Sequence, residues 1–346
     1  MSRAVTIFVA LVLWPELASA HVKWFVTYDL LCPPRPPFRV LFSDYFRSFC
    51  LFVAPLMFLV AYLDRYLARN GGRFHDTLQA ASDRLTPYFP ATLRLGVSAF
   101  FAVVFVYSWT AGSVILTPDL RTDAPWVRWL QLALAVFALS PRTAFLTGGG
   151  IAILYAYAVS VYGGFHMLDY PIFLGVAAYL ILHSLYGARH ARLAHNIMRI
   201  ATGVTLLWAS VEKWAYPEWS FMLLTERPGL TFGFNPEFYM VAAGFVEFCA
   251  AFLIITGMLS ARASAIILLV FFLLAIESFG VIDAIGHALI IIVLVLLTLS
   301  NNPIALRFDR PQSLRATAFA HTGIFFGALA AFMALYYGGH YLSFQL

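Results

Sequence analysis

Residues 238–300 read FYMVAAGFVEFCAAFLIITGMLSARASAIILLVFFLLAIESFGVIDAIGHALIIIVLVLLTLS, and only Glu247, Arg262, Glu277 and Asp283 carry a charge in this stretch. It divides into three apolar runs, 238–258, 262–280 and 284–300, parted by a short Gly/Ser/Arg turn and by Gly280. Each run is long enough to cross a hydrocarbon core of ~30 Å as a helix, which takes about 17–25 residues. Similar runs fill the rest of the chain, at about 45–63, 92–112, 126–140, 143–162, 171–187, 197–215 and 316–337. The 126–140 run is the shortest and reads as partly interfacial. Apolar residues make up 62% of the 346 and charged ones 11%, with a mean hydropathy of +0.82. A water-soluble domain needs more surface charge than that. The expectation is an all-α polytopic membrane protein of about ten transmembrane helices, whose partner is the lipid bilayer.

The N-terminus has the layout of a secretory signal peptide over residues 1–20: Arg3, the apolar run Ala4 to Leu13, and Ala18-Ser19-Ala20 as the cleavage site. The alternative is an uncleaved first helix, against which Pro15 and Glu16 argue. Residues 21–91 then comprise a Pro-rich segment (Cys32-Pro33-Pro34-Arg35-Pro36-Pro37) that cannot be helical throughout, a first span and a basic loop. Residues 301–346 supply a second basic loop and a final span. Ten spans counted from an outer His21 leave Arg65, Arg69, Arg73, Arg84, Arg142, Arg189, Arg192 and Arg262 on the inner side, while loop 216–237 holds Glu218, Glu226 and Glu237 against Arg227. That asymmetry predicts a bacterial inner membrane location with both termini periplasmic. It also accounts for the net charge of +5 without a nucleic-acid partner.

The middle of the chain shows a tandem pattern. Arg94 and Arg199 each open a span, Ser140-Pro141-Arg142 and Ser260-Ala261-Arg262 make matching tight turns, and Gly163-Gly164 and Gly280 end the third span of each unit. Two four-helix bundles are expected, 92–187 and 197–300, with one flanking helix on each side. Chance likeness among apolar runs is the competing explanation.

Charges at bilayer depth need explaining, because each costs about 2.5–3.5 kcal/mol on insertion scales and therefore faces the bundle interior in a pair. Glu212, Lys213, Glu247 and Glu277 form the candidate catalytic set. Asp283 and His287, one helical turn apart, join Trp208 as candidate cofactor-binding residues. His166 and Asp169 occupy the corresponding region of the first unit in reversed order. One reading is a polar cavity open to the outer face, holding a quinone head group, a proton relay or a metal. The other is a set of buried ion pairs that fix helix register. A cleaved chain beginning with His21 would offer an amine and an imidazole to copper(II), with His166, Asp169 and His287 as further candidate ligands. Cys32, Cys50 and Cys249 form no CxxC pair, so no dithiol exchange motif is visible.

The 197–300 unit resembles the DoxX family of four-helix bacterial membrane proteins. Arg199, Gly203, the Glu212-Lys213 pair, Glu247, Gly257, Arg262 and Gly286 carry the likeness. The first unit is similar more weakly and lacks a counterpart to the Glu-Lys pair, having Ser108-Trp109 near that place. The resemblance implies a redox-associated, quinone-linked membrane subunit, as in the small subunit of thiosulfate:quinone oxidoreductase, working with a redox partner protein. It does not fix a reaction. Copper delivery through His21, or a purely structural role in a membrane complex, are the alternatives.

Overall fold

A computed structural model describes residues 22–344 except 27, 30, 232 and 301–312. The expected signal peptide, His21 and most of the second basic loop lie outside the described residues. Ten long helices overlap the ten expected spans: α1 Asp44–Asn70, α2 Phe89–Ala111, α3 Pro125–Ala138, α4 Ala144–Tyr162, α5 Pro171–Tyr186, α6 Ala191–Ala215, α7 Pro236–Thr256, α8 Leu259–Phe279, α9 Val281–Leu299 and α10 Leu314–Phe344. Eight helical stretches among the described residues are long and apolar enough to cross a membrane; Pro171–Ala215 counts as one of them and contains both α5 and α6. Helix α3 is not among the eight, having 14 residues. The chain is an all-α polytopic membrane protein.

Local chemistry sets the helix ends. Proline occupies the first turn of α2, α3, α5 and α7, where its missing N–H costs nothing. Asn235 caps α7 by accepting from Glu237 N at 2.8 Å. Helices α4 and α8 end at Gly163 (φ 82°) and Gly280 (φ 74°), where a side chain would be strained. The basic loop expected ahead of residue 92 and the loop expected at 216–237 are partly helical, at Gly72–Leu85 and Glu218–Glu226.

Each helix from α2 to α9 packs on the next, and α9 returns to pack on α2. The two four-helix segments therefore share a boundary, α5 against α6 and α9 against α2, and the eight helices form one circuit. Helices α1 and α10 pack on each other outside it, α10 against α6 and α1 against α7 and α8. Helix α7 is the most enclosed, with 67% of its apolar window buried against 22% for α1 and 28% for α10.

The arginines that open α2 and α6 do the same work. Arg94 donates to Ala138 O (3.2 Å) and Leu139 O (2.7 Å) at the end of α3. Arg199 donates to Ile254 O and to Gly257 O (2.9 Å) at the end of α7. Each supplies donors to carbonyls that a helix C-terminus leaves unpaired, and places positive charge at its negative end. At the same end of the molecule, Asp64 of α1 accepts from Met258 N (2.7 Å), Leu259 N (2.7 Å) and Ser260 N (2.9 Å), capping α8 from another helix.

Candidate functional site

The opposite end of the circuit is closed by the chain's own N-terminal segment. Val22–Trp24 makes a single helical turn there, and Lys23, only 4% exposed, bonds Asp169 Oδ2 at 2.5 Å and Glu212 Oε2 at 2.6 Å. Tyr336 of α10 donates to the same Glu212 oxygen at 3.4 Å. Trp24 donates from Nε1 to Asp119 Oδ1 at 3.0 Å and packs on His287 with the rings tilted and their centroids 4.5 Å apart. A Cβ at Gly286 would collide with the Trp24 ring, so a glycine is required there for the segment to seat. Asp119, in the α2–α3 loop, also accepts from Tyr170 (2.6 Å) and Thr117 (2.8 Å) and faces His166 Nε2 at 3.5 Å. The segment thus ties together the α2–α3 loop, the α4–α5 loop, α6 and α9.

Glu212 and Lys213 adjoin in sequence yet serve different partners, because successive residues on a helix point about 100° apart. Glu212 turns to Lys23. Lys213 pairs with Glu247 Oε2 of α7 at 2.5 Å, both side chains largely buried (15% and 12% exposed). This second pair separates two cavities. One, about 200 Å³, lies between α7 and α8 and is lined by Phe234, Phe238, Tyr239, Ala242, Ala243, Val246, Leu268, Phe271 and Phe272, with Lys213 and Glu247 as its only charged residues. Phe234 and Val246 at its rim are exposed, so it opens toward the lipid side. The other, about 70 Å³, lies inside the circuit beneath Trp24 and is lined by Asp169, Tyr170, Thr205, Ala209, Lys213, Glu247 and His287 among others.

Electrostatics at the closed end follow from burial. Burial opposes the Lys23 charge, but the Asp169 and Glu212 carboxylates outweigh it and hold the ammonium above its ordinary range. Burial, reinforced by the Glu212 charge, pushes the Asp169 carboxyl up to about 6 despite Lys23. Tyr28 and Tyr170 are pushed up by burial and by Asp119, so both remain donors.

The structure thus gathers Lys213, Glu247, Asp169 and His287 around one chamber, with Glu212 behind it on Lys23. Asp283 accepts from or shares a proton with His287 Nδ1 at 3.0 Å and is fully buried. Glu277 is exposed and stands apart from the chamber. Trp208 is buried against Phe165 and Tyr336 and does not line either cavity. His166 faces Asp119 and Tyr28, not His287. Among the described residues no group of three or more His, Cys, Asp or Glu side chains is placed to hold a metal ion.

Sequence reasoning missed Lys23, Asp119 and Asp64. One signal was available for the first: the 346 residues contain only two lysines, Lys23 and Lys213, and both are buried on carboxylates. A chain that uses arginine for every topological charge and keeps lysine for two places marks those places.

No curated protein and no solved structure matches the chain. The DoxX family model matches residues 194–283, which span α6, α7 and α8 and reach Asp283, so the chain resembles the DoxX family over the part that carries Arg199, the Glu212-Lys213 step and Glu247.

Proposed function

We propose that this protein is a redox-associated subunit of the bacterial inner membrane that binds a quinone head group between α7 and α8. The observation that carries the reading is the Lys213–Glu247 ion pair at the head of an apolar, aromatic-lined cavity of about 200 Å³ open to the lipid side. A cavity of ~150 Å³ accommodates benzene, so a substituted single ring fits the space here. A quinone is an apolar ring with two carbonyl acceptors that become hydroxyl donors on reduction. Lys213 can donate to the carbonyl and Glu247 can accept from the hydroxyl, and the aromatic walls cover the ring faces. The redox setting implied by the DoxX resemblance supports the same ligand. The arginine distribution supports a periplasmic placement of the end closed by Lys23 and Trp24, where a redox partner protein would dock.

The test is titration of the purified protein in lipid nanodiscs with a short-chain ubiquinone analogue. Saturable binding is expected, weakened at least tenfold by Glu247→Gln with the fold retained. Absence of saturable binding, or binding unchanged in Glu247→Gln and in Phe271→Ala, would overturn the reading and leave a structural subunit.

A further inference from the structure

The chamber inside the circuit is not explained by a quinone site alone. It has about 70 Å³, several times the ~10–15 Å³ that one water needs. Its walls supply the two to four polar partners each water requires: the Lys213–Glu247 pair at one side, Thr205 on α6, and Asp169 at the other. Asp169 commits one oxygen to Lys23; its Oδ1 is buried with no partner among the described residues. A buried carboxylate oxygen left bare is costly, and Asp169 is one of the residues that line the chamber. Trp24 and Gly286 are among its lining residues and pack directly on each other.

We infer that the chamber is a hydrated proton relay joining the Lys213–Glu247 pair to Asp169. This deepens the quinone reading, because a ring hydroxyl that binds Glu247 has its proton one carboxylate away from the relay. A proton on Glu247 passes to a chamber water while that water chain gives a proton to Asp169 Oδ1. One proton moves in all, no electron moves, and Glu247 is left as a carboxylate beside the Lys213 ammonium. Asp169 suits the receiving end because burial and the Glu212 charge raise its carboxyl to about 6, near the pH at which it must load and unload. The groups that face Asp169 are Lys23 and Tyr28 from the N-terminal segment, His166 and Tyr155 from the α4 side, Tyr170, Glu212 from α6 and Tyr336 from α10. Of these, Asp169 and Tyr170 line the chamber, and Tyr170 donates to Asp119; His287, which also lines it, is bonded through Nδ1 to Asp283.

Infrared difference spectra of the full chain in nanodiscs without quinone, taken between pH 7 and pH 5, test the relay. A protonated-carboxyl band that is lost in Asp169→Asn is expected to rise together with water bands that shift in H₂¹⁸O. Ala209→Leu, which fills the chamber, is expected to abolish the water bands and keep the Asp169 carboxyl band. Asp169 titrating in the wild type with no isotope-sensitive water band would overturn the inference, and so would water bands that persist in a folded Ala209→Leu variant. Quinone plays no part in these spectra, so a failure to bind quinone would sink the proposed function and leave this result standing.

Discussion

Segments 92–187 and 197–300, which we read as tandem counterparts, differ in charge. Measured from their opening arginines and the carbonyls those arginines hold, Ser108 and Gln131 of the first segment stand where Lys213 and Glu247 stand in the second. Ser108 Oγ meets Gln131 Oε1 at 3.5 Å, and Gln131 donates to Val114 O and to Ile115 O (3.1 Å), tying down the loop between α2 and α3. The neutral pair is fully buried and satisfied by backbone. The charged pair is joined side chain to side chain and borders two cavities. The same fold position serves as loop anchor in one segment and as a candidate ligand site in the other. The lesson is that shared geometry does not carry shared chemistry, which resides in the residues placed on it.

Four single substitutions and one double change would break or sharpen this contrast. The largest effect is expected from Lys23→Ala, which strands Asp169 and Glu212 together at the closed end. Removing one partner of a buried ion pair costs about 3–5 kcal/mol, read as a fall in the thermal unfolding midpoint in detergent. Lys213→Ala strands Glu247 near the cavities and is expected to cost somewhat less, about 3 kcal/mol, because its partner retains some exposure. Asp64→Asn weakens the cap on α8 and is expected to cost about 1–2 kcal/mol in the same assay. The turn at Ser140-Pro141-Arg142 is instead held by Ser140 and Thr143. The smallest effect belongs to the neutral pair: Ser108→Ala is expected to cost about 0.5–1.5 kcal/mol and to leave quinone binding unchanged. A double change of Lys213→Ser with Glu247→Gln, which writes the first segment's pair into the second, is expected to keep the fold and lose quinone binding. Retained binding in that double variant would show that the contrast is not functional.

The helices were legible because the bilayer imposes one signal, a long apolar run, and prolines and glycines mark its ends. The matching work of Arg94 and Arg199 was foreshadowed by their matching places. The site was legible only in part. Glu212 and Lys213 read as one feature in sequence, and helix geometry sends them to Lys23 and Glu247 respectively. Glu277 read as a further buried charge, yet it falls on an exposed face at the end of α8. Lys23 and Asp119 escaped because both lie in irregular segments that periodicity does not describe. Their meeting with α6 and α9 is a long-range contact, which no local pattern encodes. The copper reading of His21 falls on a residue outside the described part of the chain.

An experimental structure of the full chain in nanodiscs with a short-chain quinone bound would test the central claim most directly. The account predicts the ring between α7 and α8, one of its oxygens within hydrogen-bond distance of Lys213 Nζ, and Lys213 and Glu247 adjoining. Density for the ring at any other place, or Lys213 and Glu247 turned apart, would contradict it.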